Sequence, residues 1–129
     1  MSLYFLRNIP SKLCHLLITC EKSMSELLYD LILQSARQWP AKEAVFHKNH
    51  SLNYEALAEN LHYVAQGLLN LGLSANERAA VYLPKQMETV TSLFGISLAG
   101  GVFVPVNPLL QPEQVEYILR DCNVRILVT

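Results

Sequence analysis

The chain has 129 residues and is 51% hydrophobic. Only 16% of it is charged, against roughly 25% in ordinary soluble domains, and its formal net charge is −1. Proteins that track nucleic-acid phosphates carry a clear basic excess, so this balance excludes that class.

Residues 1–24 read as an extension distinct from the rest. Arg7 and Lys12 precede an apolar patch from Leu13 to Cys20 that His15 interrupts. The patch falls far short of the roughly 20 residues that span a bilayer, and Thr19-Cys20-Glu21 is a poor signal-cleavage site. Met24 reads as an alternative start. Cys14, Cys20 and Cys122 make an odd count of three without zinc spacing, which argues against a disulfide framework and fits a reducing, cytoplasmic setting.

From Ser25 the pattern becomes regular. Leu28, Leu31, Ile32, Ser35 and Trp39 recur at helical spacing, with Ser23 and Glu26 placed as a capping box and Pro40 ending the helix. Residues 44–47 and 51–53 read as a small hairpin around a 48–50 turn. His47 and His50 near that turn lack a third metal ligand and read as exposed turn histidines. Tyr54 opens the longest helix, whose stripe is Leu57, Leu61, Val64, Ala65 and Leu68, and Gly72 stops it.

A stricter rhythm follows. Residues 79–83 form an apolar strand ended by Pro84, and 86–99 form a helix with Met87, Val90, Leu93, Phe94, Ser97 and Leu98 inward. Gly100 and Gly101 allow a tight turn and a close approach of that helix to the sheet. Residues 102–104 then read as a strand buried on both faces, stopped by Pro105 and Pro108. Pro112 opens a helix with Val115, Ile118, Leu119 and Cys122 inward, and 124–128 is the last strand. The expected class is therefore α/β: a parallel β-α-β-α-β sheet preceded by helices and a small hairpin, with right-handed crossovers. A chain ending on a strand exposes a sheet edge, from which truncation and self-association are expected.

Reactive chemistry is sparse. The five glycines build neither G-x-G-x-x-G nor G-x-x-x-x-G-K-[ST], the two aspartates (Asp30 and Asp121) fall on helices, and no nucleophile elbow or zinc-protease helix occurs. No catalytic, cofactor-binding or metal-ligating residue is assigned. In open parallel sheets ligands lie beyond the carboxyl ends of the strands. That places Lys85 and Asn107 as candidate substrate-binding residues, set against a plain surface lysine and a turn-forming asparagine.

Leu52-Asn53-Tyr54-Glu55-Ala56-Leu57 resembles the first core motif of the AMP-forming acyl-CoA synthetases and ligases, the adenylate-forming superfamily, with Asn53 where Thr or Ser is usual. Leu98 to Asn107 resembles the second core motif, and Arg78 to Pro84 and Val124 to Thr129 stand where that family has strands. The resemblance covers 25–129. The strings 83–90, 100–108 and 119–124 look most like acyl-CoA ligases associated with exosortase systems. The resemblance implies an incomplete N-terminal subdomain of an enzyme that uses ATP and Mg2+ to convert a carboxylic acid to an acyl-adenylate, then transfers the acyl group to CoA. The family's phosphate loop, adenine and ribose contacts and mobile lysine lie downstream, so a piece of this length is expected to be inactive and to bind none of these cofactors tightly. Two alternatives stand beside it. One is a stand-alone, non-catalytic interaction module on the same scaffold. The other is a receiver-like or flavodoxin-like domain, which the missing strand-end acids and phosphate loop disfavour.

Overall fold

The computed structural model describes residues 27–129. The 1–24 extension, its apolar patch and the Ser23/Glu26 capping box lie outside the described residues. Helix α1 (Leu28–Gln38) starts from an extended Leu27 that provides no side-chain cap. Asp30 in its first turn and Arg37 in its last suit the helix dipole. The expected inward stripe is only half realised: Ile32 and Ser35 are half-buried, whereas Leu28, Leu31 and Trp39 are exposed. This helix packs against the next two helices of the chain, and Leu28, Leu31 and Trp39 lie outside those contacts.

Strands β1 (Glu43–His47) and β2 (His50–Asn53) form an antiparallel hairpin joined by Lys48 and Asn49. His50 is thus the first residue of β2 and the direct partner of His47, not part of the turn. Asn53 ends the hairpin and caps helix α2 (Tyr54–Asn70) in one residue: its Oδ1 accepts the Ala56 N–H at 2.8 Å. Asparagine therefore does the work of the more usual Ser or Thr at this place. Leu57, Leu61, Ala65 and Leu68 are buried along one stripe, with Val64 half-buried beside them. Gly72, at φ 86, turns the chain out of the helix.

The remaining elements are β3 (Arg78–Val81), α3 (Met87–Leu98), β4 (Val102–Pro105), α4 (Pro112–Asp121) and β5 (Val124–Val128). The three strands form one parallel sheet in the order β4-β3-β5. The first strand is therefore the central one. The chain moves outward through α3, then returns across β3 through α4. Right-handed crossovers then place the two helices on opposite faces, and the packing agrees. Ala79 and Val81 pack with Ala65, Leu68, Leu73, Ile96 and Ala99 beneath α2 and α3. Ala80, between them in sequence, points the other way to Val106 and Val115 beneath α4.

This topology corrects the expectation for 102–104. The strand fully covered on both faces is β3, whose Ala79 and Ala80 are wholly buried, whereas β4 is covered only in part, by Phe103 on one face and Val104 on the other. Strand β4 is an edge, with Val102 47% exposed. Pro105 does not block pairing but forms the last pair, opposite Val81, and the Val106 N–H bonds the Val81 carbonyl at 2.9 Å. An edge position tolerates proline because its missing N–H can face away from the ladder. Strand β3 is also shorter than the expected 79–83, although the Tyr82 N–H still bonds the Val128 carbonyl at 2.8 Å.

A second correction concerns α3. Its fully buried residues are Thr91, Ser92, Gly95 and Ile96, while the expected inward set is only partly buried. A β-carbon on Gly95 would sit 2.6 Å from Val64 Cγ1. The small residues of α3 let it approach α2 closely, and the larger apolar side chains flank that contact. At the end of α3, Gly100 has φ 79. A β-carbon on Gly101 would lie 2.9 Å from Leu73 Cδ2 and 3.1 Å from Ile96 Cγ2. Both glycines thus serve the tight turn and close packing expected of them. Cys122 caps α4, half-buried.

Candidate functional site

The carboxyl ends of β3 and β5 open into a cleft of ≈ 650 Å³. Leu83 and Val128 line it from the strand ends, Gln86 and then Met87, Glu88, Thr91 and Ser92 of α3 form one side, and Asn60, Tyr63 and Val64 of α2 close another. The lining is mostly apolar. Glu88 is its one charged residue, and it stands in the first turn of α3. A carboxylate there already answers the positive end of the helix dipole. A phosphate would need a cation or free N–H donors at that place, and the cleft wall offers no lysine or arginine. Thr91 directs its hydroxyl to the Met87 carbonyl of its own helix, 3.0 Å away. The cleft is chemically an apolar recess.

The two candidate residues sit at the loops expected. Lys85 is exposed in the link from β3 to α3. That link is held by the Thr89 hydroxyl, which donates to the Pro84 carbonyl at 2.6 Å. Asn107 is exposed after β4, and its Oδ1 accepts the Leu109 N–H at 3.0 Å, an Asx turn between two prolines. The Tyr82 hydroxyl fastens the same loop from the end of β3, 3.1 Å from the Leu110 carbonyl and 3.3 Å from that of Pro108. The strand ends bring both loops to one edge of the sheet, yet neither Lys85 nor Asn107 is among the residues lining the cleft. Pattern reading also missed the cleft itself. Its signal was Thr91 and Ser92 set side by side on the helix, with Gly95 one turn further on.

Among the described residues no group of three or more His, Cys, Asp or Glu side chains could hold a metal ion.

The profile of the family described as "AMP-binding enzyme" matches residues 32–129. The chain belongs to that family. Over 125 residues it is 32% identical to the long-chain-fatty-acid–CoA ligase of Bacillus subtilis, covering 97% of this chain and 22% of that protein. It is 35% identical over 101 residues to syringomycin synthase SyrB1 of Pseudomonas syringae, covering 78% and 16%. Sulfoacetate–CoA ligase of Cupriavidus necator is 32% identical over 111 residues, covering 84% and 22%. Among solved structures, the anthranilate CoA ligase AuaEII in complex with anthranoyl-AMP superposes with a TM-score of 0.75 at 31% identity, covering 78% of this chain and 20% of that one. The N-terminal subdomain of Klebsiella oxytoca NpsA shares the fold at 21% identity, TM-score 0.75, covering 80% and 27%. The chain thus spans between 16% and 22% of the length of these curated relatives.

The two segments that resemble the family's core motifs occupy structural positions. The first is the hairpin-to-helix junction capped by Asn53, and the second is the turn at Gly100 and Gly101 that leads into β4. No helix of the described residues is long and apolar enough to cross a membrane.

Proposed function

We propose that this chain supplies the first layer of the N-terminal subdomain of an ATP-dependent, AMP-forming acyl-CoA ligase. The parent enzyme would activate a carboxylic acid as its acyl-adenylate, with release of pyrophosphate, and pass the acyl group to CoA. The observation that carries this reading is the 97% coverage of the chain by its likeness to a fatty-acid–CoA ligase. ATP, magnesium and CoA are the parent's requirements. The contribution of 27–129 is a β-α-β-α-β platform with two fastened strand-end loops, from which Lys85 and the free amide nitrogen of Asn107 are offered to a substrate lying across the sheet edge. The narrower likeness to exosortase-associated ligases rests on the strings 83–90, 100–108 and 119–124 alone. The 129-residue chain is proposed to be inactive by itself and to work in the cytoplasm.

The 35% identity to SyrB1 favours a second reading, an adenylation domain of a peptide synthetase, in which the accepting thiol is not that of CoA. Two grafts separate the readings. The chain replaces the matching segment of the Bacillus subtilis ligase in one hybrid and of SyrB1 in the other, and folding of both is checked by circular dichroism. The ligase hybrid is expected to retain ATP-dependent acyl-CoA formation and the SyrB1 hybrid to lose most of its adenylation. Equal retention in both, or a folded ligase hybrid without thioester product, counts against the CoA-ligase reading.

The chain alone should also self-associate. Edge strands β4 and β5 carry Val102 at 47% and Leu127 at 40% exposure, and unpaired edges of this kind recruit further strands. Sedimentation velocity is expected to show a concentration-dependent shift to larger species; a single monomeric species at high concentration would contradict it.

A further inference from the structure

We propose that His47 and His50 form a two-imidazole chelate for a first-row divalent cation. The two residues are direct partners in the antiparallel hairpin, the last pair before the Lys48-Asn49 link. Directly opposed residues of such a pair project to the same face, with Cβ atoms about 4.5–5.5 Å apart. Two imidazoles starting from that separation can converge on one ion at Zn–N-like distances of about 2.0–2.1 Å. Neutral imidazole suits zinc, copper and nickel, with copper and nickel held more tightly than the earlier metals of the row.

The surroundings favour the pair. The neighbouring partners on the same face are Val45 and Leu52, so no other charged hairpin side chain competes for the imidazoles there. Phe46 and Ser51 project to the opposite face. His50 is exposed while His47 is half-buried, which leaves the site reachable. Lys48, in the link at φ 55, opposes a cation, but it is exposed and its field is screened by salt. Since no group of three ligands forms among the described residues, water fills the remaining coordination positions. The site is open, unlike a closed structural zinc centre. It belongs to the hairpin and is independent of the adenylate chemistry proposed above.

The test is a titration of the full 129-residue chain with Ni(II), followed at the imidazole resonances by NMR. His62, exposed on α2, serves as the reference for a single imidazole. The resonances of His47 and His50 are expected to broaden together, at lower metal concentration than His62. The variant His50→Ala, at an exposed position and verified as folded by its amide spectrum, is expected to shift the His47 response to that of His62. The proposal is overturned if His47 and His50 respond at separate concentrations, if neither precedes His62, or if His50→Ala leaves the His47 response unchanged.

Discussion

Replacing Gly95 by alanine is expected to destabilise the fold, although alanine is the better helix former. The added β-carbon would lie 2.6 Å from Val64 Cγ1 and 2.8 Å from Val64 Cβ. Rotating Val64 about χ1 relieves the first contact but not the second, because Cβ moves only with the backbone of α2. The gain in helix propensity is about 1 kcal/mol, and overpacking costs about 1–3 kcal/mol, so the net loss should reach up to about 2 kcal/mol. Larger side chains such as leucine should be worse, taking a substantial part of the roughly 5–15 kcal/mol by which a domain is folded. Val64→Gly removes the obstructing β-carbon together with its methyl groups. In that background Gly95→Ala should cost much less, with a coupling of about 0.5–3 kcal/mol in urea denaturation. Strict additivity of the two substitutions would show that α2 and α3 do not meet through this pair.

The second large effect is at Leu61, which has no solvent-accessible surface and lies at the middle of the α2 stripe. Leu61→Ala removes the transfer energy of the deleted carbons and leaves a cavity between packed layers, a loss of about 2–5 kcal/mol. Leu69 on the same helix is 52% exposed, so Leu69→Ala should stay within about 0.5 kcal/mol of the parent. A shift in urea midpoint of similar size for both variants would mean that the buried stripe of α2 is misassigned.

The elements were legible where one signal decided them. Asn53 before the stripe and Gly72 after it mark both ends of α2, because capping and left-handed backbone each favour few residue types. The alternation of strands and helices likewise fixed the α/β class. The buried face of α3 was not legible, because that helix carries apolar residues on several sides. The closest contact falls on Thr91, Ser92 and Gly95, which a hydrophobic pattern ranks low. The edge position of β4 was hidden for another reason. A short apolar run reads alike in a central and an outer strand, and strand order follows from the crossovers, not from the composition of the strand itself. At the strand ends, the rule that ligands lie beyond carboxyl termini led to the loops of Lys85 and Asn107. It could not show that the side-chain Oδ1 of Asn107 is engaged by the Leu109 N–H or that the recess lies on the β5 side. Nor does residue spacing reveal that His47 and His50 are cross-strand partners, which depends on where the hairpin turns.

The platform role of 27–129 is tested most directly by ATP–pyrophosphate exchange with the 129-residue chain alone, using fatty and aromatic carboxylic acids with magnesium present. No exchange above the protein-free background is expected for any acid, because this segment carries neither a phosphate-binding loop nor a cation in its cleft. Acid-dependent exchange by the purified chain would contradict that role and would place catalytic residues within these strands and helices.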